Sequence, residues 1–164
     1  MGEEAIKTPA RAQNRRFDSP QQEAYLALWR TYDRLRAFED ELFAQFELTA
    51  QQYNLLRLLQ AAQKPVPTLM LAERLISRAP DITRMLDKLE NCGFITRTRS
   101  TKDRREVLVE ITAAGSKLLE RISGPLEACH ERQLGHLSNA ELKSLIALLQ
   151  AARAPHEPVG STWV

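Results

Sequence analysis

A mainly α-helical chain with a single small β-hairpin is predicted by three observations. Apolar residues recur at helical spacing through most of the 164 residues. From Phe94 to Ile111 the period changes to two, the mark of paired strands. Just before that segment stand two short helical stretches joined by three or so residues, Ser77 to Ala79. Helix, tight turn, helix and a basic two-stranded flap together make a winged helix-turn-helix.

Residues 1–18 are polar and read as a flexible arm with Lys7, Arg11, Arg15 and Arg16. Ser19 caps the first helix, Pro20 takes its first position and Gln22 can close a capping box. Tyr25, Leu28, Trp29, Tyr32, Leu35, Phe38, Leu42, Phe43 and Phe46 then recur at roughly 3.6 spacing. At about 1.5 Å per residue this helix is roughly 40 Å long, more than a small three-helix core can cover. Its apolar excess calls for a partner, most simply a second copy of the chain. Thr49 with Gln52 opens a helix carrying Tyr53, Leu55, Leu56 and Leu59, which ends before Pro65 and Pro67. Thr68 is expected to cap the next helix, with Leu71, Ala72, Leu75 and Ile76, and Pro80 to restart the chain as a helix.

In that second helix of the pair Ile82, Met85, Leu86 and Leu89 form one buried stripe. The opposite face carries Pro80, Arg84, Asp87 and Asn91, flanked by Thr83 and Lys88. Gly93 ends it where a positive φ is wanted. Arg97 and Arg99 are expected to point outward from the first strand, with Val107, Val109 and Ile111 inward on the second and Ser100 to Asp103 as the loop. Thr112 caps a fifth helix with Leu118, Leu119 and Ile122, which Gly124-Pro125 should kink or interrupt. Ser138 and Glu141 box the last helix, with Leu142, Leu145, Ile146 and Leu149, and residues 154–164 are a tail. The expected organisation is one domain over 19–153: a winged helix-turn-helix at 48–111 between dimerisation helices at 19–46 and 112–153.

Charge distribution bounds the function. The net charge is only +2, but residues 74–105 hold nine Lys/Arg against four acids, so the remainder carries a balance of −3. Positive charge therefore gathers where the helix and hairpin lie, the footprint of nucleic-acid binding. A helix with a polar outer face fits the major groove of double-stranded DNA, and an arginine-rich hairpin fits phosphates or a minor groove. Enzyme readings fail: no Gly-rich phosphate loop, no Ser/His/Asp order and no inward carboxylate pair can be placed on this pattern. The two cysteines, Cys92 and Cys129, make no disulfide framework, and the three histidines have no metal-ligand spacing, so neither metal nor other cofactor is expected. The opening MGEEAIKTPARAQNRR lacks an apolar signal region, Ile6 stands where myristoylation wants Ser or Thr, and no apolar run reaches a membrane span of about 18 residues. A cytoplasmic protein without a membrane partner is expected.

The residues that carry this reading resemble the MarR family of bacterial transcription regulators over about Leu48 to Leu119, most strongly in LAERLISRAPDITRMLDKLENCGFITRTRSTKDRREVLVEITAAG. The matching pieces are Ile82-Thr83-Arg84 with Leu89-Glu90, then Gly93 and Arg97, then Asp103-Arg104-Arg105, and Thr112 with Gly115. The chain departs from the common pattern at Ala79-Pro80-Asp81, where a small hydroxyl residue is frequent, and at Cys92. The resemblance implies a homodimer with interlaced N- and C-terminal helices, one winged helix on each side, and usually repression relieved by a small ligand.

Candidate DNA contacts are Arg78 in the link, Pro80, Asp81, Thr83, Arg84 and Lys88 on the helix, and Arg99, Lys102, Asp103, Arg104 and Arg105 on the wing. Arg84 suits a guanine edge or a phosphate, and the wing arginines suit the negative potential of a minor groove. Asp103 is expected to fix an arginine, Arg105, by a charge-assisted hydrogen bond. Trp29, Tyr32 and Arg57 are candidates for holding a small aromatic or anionic effector, against core or dimer packing for the two aromatics. Two other readings remain: a thiol-based redox-sensing regulator, and a winged helix used as a protein–protein module. Cys92 lies at a helix C-terminus, which disfavours a thiolate and argues against the first. The arginine cluster at the wing tip is superfluous to the second.

Overall fold

The local signals at the start of each helix account for most of the architecture. The computed structural model describes residues 17–75 and 81–157. The chain divides into two units, Met1–Arg36 and Ala37–Val164. Helix α1, Pro20–Ala44, begins with Ser19 Oγ accepting the Gln22 amide at 3.1 Å. Gln22 does not close a box on Ser19; its Oε1 accepts the Asp18 amide at 2.8 Å, one residue earlier than expected. Tyr25, Leu28, Trp29 and Tyr32 are all exposed, with Tyr25 and Trp29 rings 6.2 Å apart.

In the larger unit, α2 spans Ala50–Ala62 and carries the full Thr49–Gln52 capping box. Its Leu55, Leu56 and Leu59 are buried with Leu42, Phe43, Leu71, Leu86, Leu89, Ile95, Val109, Leu118 and Ile122 in one core. Helix α3, Thr68–Arg74, starts differently from expectation: Pro67 is the cap residue and Thr68 is already helical. The Thr68 hydroxyl instead donates to the Val107 carbonyl at 3.1 Å. That contact accompanies a strand the sequence did not announce, β1 at Val66–Pro67, which pairs antiparallel with the hairpin.

Helix α4, Ile82–Asn91, is capped by Asp81, whose Oδ1 accepts the Arg84 amide at 2.9 Å. The helix therefore opens at Ile82, not at Pro80, and a carboxylate does the capping. Its end matches expectation: Gly93 has φ +74°, and the Gly93 and Phe94 amides donate to the Glu90 and Leu89 carbonyls. Strands β2, Ile95–Arg99, and β3, Val107–Ile111, pair antiparallel, and the sheet order is β1-β3-β2. The loop between them runs from Ser100 to Glu106, three residues longer than predicted, because Arg104 and Arg105 form a turn of their own.

Thr112 caps α5, Ala113–Leu134, by accepting the Gly115 amide. Pro125 lies inside α5 without interrupting it. A proline there removes a hydrogen bond and costs about 3 kcal/mol in a free helix. Buried Leu118, Ile122, Leu126 and Cys129 lie on both sides of it and hold the helix to the core. Helix α6, Asn139–Arg153, keeps the Ser138–Glu141 box but has no buried residue; a short 3-10 turn, Ala154–His156, follows.

Candidate nucleic-acid interface

Helix α4 has two unlike faces because its apolar residues are spaced three and four apart. Met85, Leu86 and Leu89 are buried, while Asp81, Thr83, Arg84, Asp87 and Lys88 are exposed. Asp81 spends one carboxylate oxygen on the helix start, which leaves Thr83 and Arg84 beside it on the first turn. Arg84 has no side-chain partner among the described residues, so its guanidinium is available for a base edge or phosphate. Lys88 is differently placed: its ammonium donates to the Glu47 carbonyl at 3.2 Å, just past the end of α1. Glu47 itself has φ +56°. Arg78 and Pro80 lie outside the described residues.

The wing tip is held by hydrogen bonds of its own backbone amides to Ser100, Asp103 and Glu106. Buried Ser100 accepts the Lys102 and Asp103 amides on its hydroxyl, both at 3.3 Å, and its amide donates to the Glu106 carbonyl. Asp103 Oδ1 accepts the Arg105 amide at 2.9 Å, and the Asp103 carbonyl accepts the Glu106 amide. Asp103 thus meets Arg105, but through the backbone rather than the expected guanidinium. A carboxylate folding back on an amide two residues later is an Asx turn. It leaves the side chains free: Arg99, Lys102, Arg104 and Arg105 are exposed and have no side-chain partner among the described residues.

Arg97 departs from the outward position expected of it. Its Nη2 lies 2.6 Å from Asp87 Oδ1 and 2.6 Å from Glu90 Oε2, its Nε 2.9 Å from the same Glu90 oxygen, and its amide donates to Glu90 Oε1 at 3.1 Å. The Arg97 side-chain hydrogen bond holds the Glu90 carboxyl below the usual carboxylate range, against the opposing effect of burial. The side-chain hydrogen bond to Glu90 likewise raises the Arg97 guanidinium. Alternation counted from buried Ile95 puts Arg97 on that same face of β2, so parity in the sequence already pointed inward and the outward expectation overlooked it.

Trp29 and Tyr32 are exposed on α1, and Arg57 is exposed on α2. Cys92 is exposed at the C-terminal cap of α4. Cys129 is buried, and desolvation, followed by the charge of Glu39, pushes its thiol up and away from thiolate chemistry. Among the described residues no group of His, Cys, Asp and Glu could hold a metal ion. Among them also, no helix is long and apolar enough to cross a membrane.

A model of the MarR family matches residues 48–107. The HTH-type transcriptional regulator FarR of Neisseria gonorrhoeae is 32% identical over 108 residues, covering 64% of this chain and 73% of FarR. Among solved structures, a MarR transcription factor from Planctomyces limnophilus is 54% identical, with a TM-score of 0.66 over 83% of this chain and 99% of that one. An E. coli MarR mutant complexed with operator DNA shares the fold at 23% identity, with a TM-score of 0.72 over 79% of this chain and 93% of that one.

Proposed function

This chain belongs to the MarR family of DNA-binding transcriptional regulators, and on that premise we propose that it is a homodimeric repressor released from a pseudo-palindromic operator by a small ligand. The observation that carries the reading is the set of exposed cations on α4 and the wing that have no side-chain partner among the described residues: Arg84, Arg99, Lys102, Arg104 and Arg105. Each would otherwise be a solvated surface charge. Gathered on adjacent elements over a wing tip braced by Ser100 and Asp103, they match a helix in the major groove and arginines in the neighbouring minor groove. Thr83 and Arg84 read bases or grip the phosphate beside them, with Asp81 holding the first turn in shape. Lys88 on α4, with Arg78 and Pro80 outside the described residues, completes the proposed contacts.

Two-fold pairing is supported by the apolar residues left exposed on α1 and by Ile146 and Leu148 on α6. Two recognition helices so related take half-sites about 10 base pairs apart. Trp29, Tyr32 and Arg57 have the chemistry for an aromatic carboxylate, as ring faces and one cation. Such a ligand acts only by favouring the DNA-incompetent arrangement, and a 100-fold loss of operator affinity needs about 2.7 kcal/mol of differential binding. The place of action on this reading is the cytoplasm.

The test is titration of the protein onto the promoter fragments beside its own gene, followed by fluorescence anisotropy. Arg84→Ala is expected to cost about 1–3 kcal/mol and relax preference at one base pair, and Arg105→Ala to weaken all sequences alike. Unchanged affinity in both variants would put the DNA surface elsewhere. Addition of small aromatic acids is expected to lower the anisotropy; if none does, the ligand-release half of the reading fails alone.

A further inference from the structure

Arg97 differs from Arg99, Arg104 and Arg105 in having its side chain bound by carboxylates of α4. A single residue gives Glu90 three hydrogen bonds, using both carboxylate oxygens, and reaches Asp87 with the same Nη2. Glu90 is in the last turn of α4 and Arg97 is the middle residue of β2, so the contact spans the Gly93 turn that joins them. A planar guanidinium donating through Nε and Nη2 to one carboxylate oxygen, with the backbone amide on the other, leaves little rotational freedom. Asp87 matters for a second reason. It is an exposed acid on the outer face of the recognition helix, beside Arg84 and Lys88, and its charge would oppose nearby phosphates.

We propose that Arg97 is a positioning residue for DNA recognition: it fixes the wing against the recognition helix and neutralises Asp87, and touches no nucleotide. The inference rests on the DNA-binding reading and adds a division of labour among the wing arginines. Arg99, Arg104 and Arg105 meet DNA, whereas Arg97 sets where they stand. A wing free to swing would have to be ordered at each binding event, which the pin avoids by holding it in the free protein.

Glu90→Gln decides by sign. It removes a negative charge close to the DNA face and frees Arg97. Were Arg97 a phosphate ligand, the freed side chain and the lost repulsion would both tighten binding. On the positioning reading, operator affinity falls about tenfold, the size of a modest coupling free energy. Glu110→Gln, an exposed acid on β3, serves as the control for charge alone and is expected not to weaken binding. Arg97→Gln is expected to weaken binding with an unchanged salt slope, since a lost phosphate contact would lower that slope by about one. Tighter binding in Glu90→Gln, a lowered slope in Arg97→Gln, or unchanged affinity in both overturns the proposal. Hydrogen exchange of the free protein gives a readout that needs no DNA: in Glu90→Gln the Arg97 amide should exchange faster. Failure of the wild type to bind any DNA would sink the regulator reading, while the exchange result would still judge the pin.

Discussion

Gly115 sits where the first turn of α5 passes the carbonyl of Phe94. A Cβ there would lie inside contact distance of that oxygen and 2.7 Å from Ile111 Cγ1. Neither neighbour can move freely, because the Phe94 carbonyl accepts the Thr112 amide and Ile111 is paired in β3. Gly115→Ala is therefore expected to cost about 1–3 kcal/mol by overpacking, visible as a lower Tm. Gly93 is the opposite case, with open space around it and φ +74°. Gly93→Ala pays only for left-handed backbone, about 1 kcal/mol. A larger loss at Gly93 than at Gly115 would contradict this account. Glu90 adds a pH prediction. Its folded-state pKa is lowered, so the stability it contributes is present above the ordinary carboxylate range and is lost as pH falls through the lowered value. Tm measured between neutral and acid pH should fall less steeply in Glu90→Gln than in the wild type; parallel curves would mean that the Arg97 pair contributes nothing to stability.

The elements differ in how plainly the sequence announces them, and the reason is the range of the interactions that make each one. The Thr49–Gln52 and Ser138–Glu141 boxes, the Thr112 cap and the Gly93 stop are satisfied within four residues, so they were legible. Thr49→Ala should accordingly cost about 1 kcal/mol in a denaturant titration, with an unchanged slope. β1 is the contrary case. Val66 and Pro67 become a strand only by pairing with Val109 and Leu108, and a proline is tolerated there because β1 is an edge strand. Thr68 has the composition of a cap but spends its hydroxyl on Val107, 39 residues away. α5 runs through Pro125 because its buried stripe outweighs the local penalty, again a tertiary effect. In the interface, the candidate cations of the wing could be picked out from composition, but the partners of Arg97 and Lys88 could not. Both reach elements brought near only by folding.

At the scale of the whole molecule the unexplained quantity is apolar surface. On α1, Tyr25, Trp29 and Tyr32 are each about 60% exposed, and α6 buries no residue although Leu142, Leu145 and Leu149 are half-covered. A chain this size seldom leaves two such helices bare. If α1 and α6 make an isologous two-fold interface, light scattering should give about twice the 18.7 kDa chain mass at micromolar concentration. A stable monomer would sink the dimer, and with it the operator spaced for two recognition helices. Trp29 then separates two uses of the same stripe. Were it interface packing, Trp29→Ala would shift the scattering mass toward one chain and weaken operator binding in parallel, since two half-sites could no longer be held together. Were it part of an effector site, the variant would stay dimeric and bind operator normally, and only release by small aromatic acids would be lost. Scattering on Trp29→Ala should therefore come before any ligand screen, because a monomeric variant would lose operator binding for reasons unrelated to a ligand.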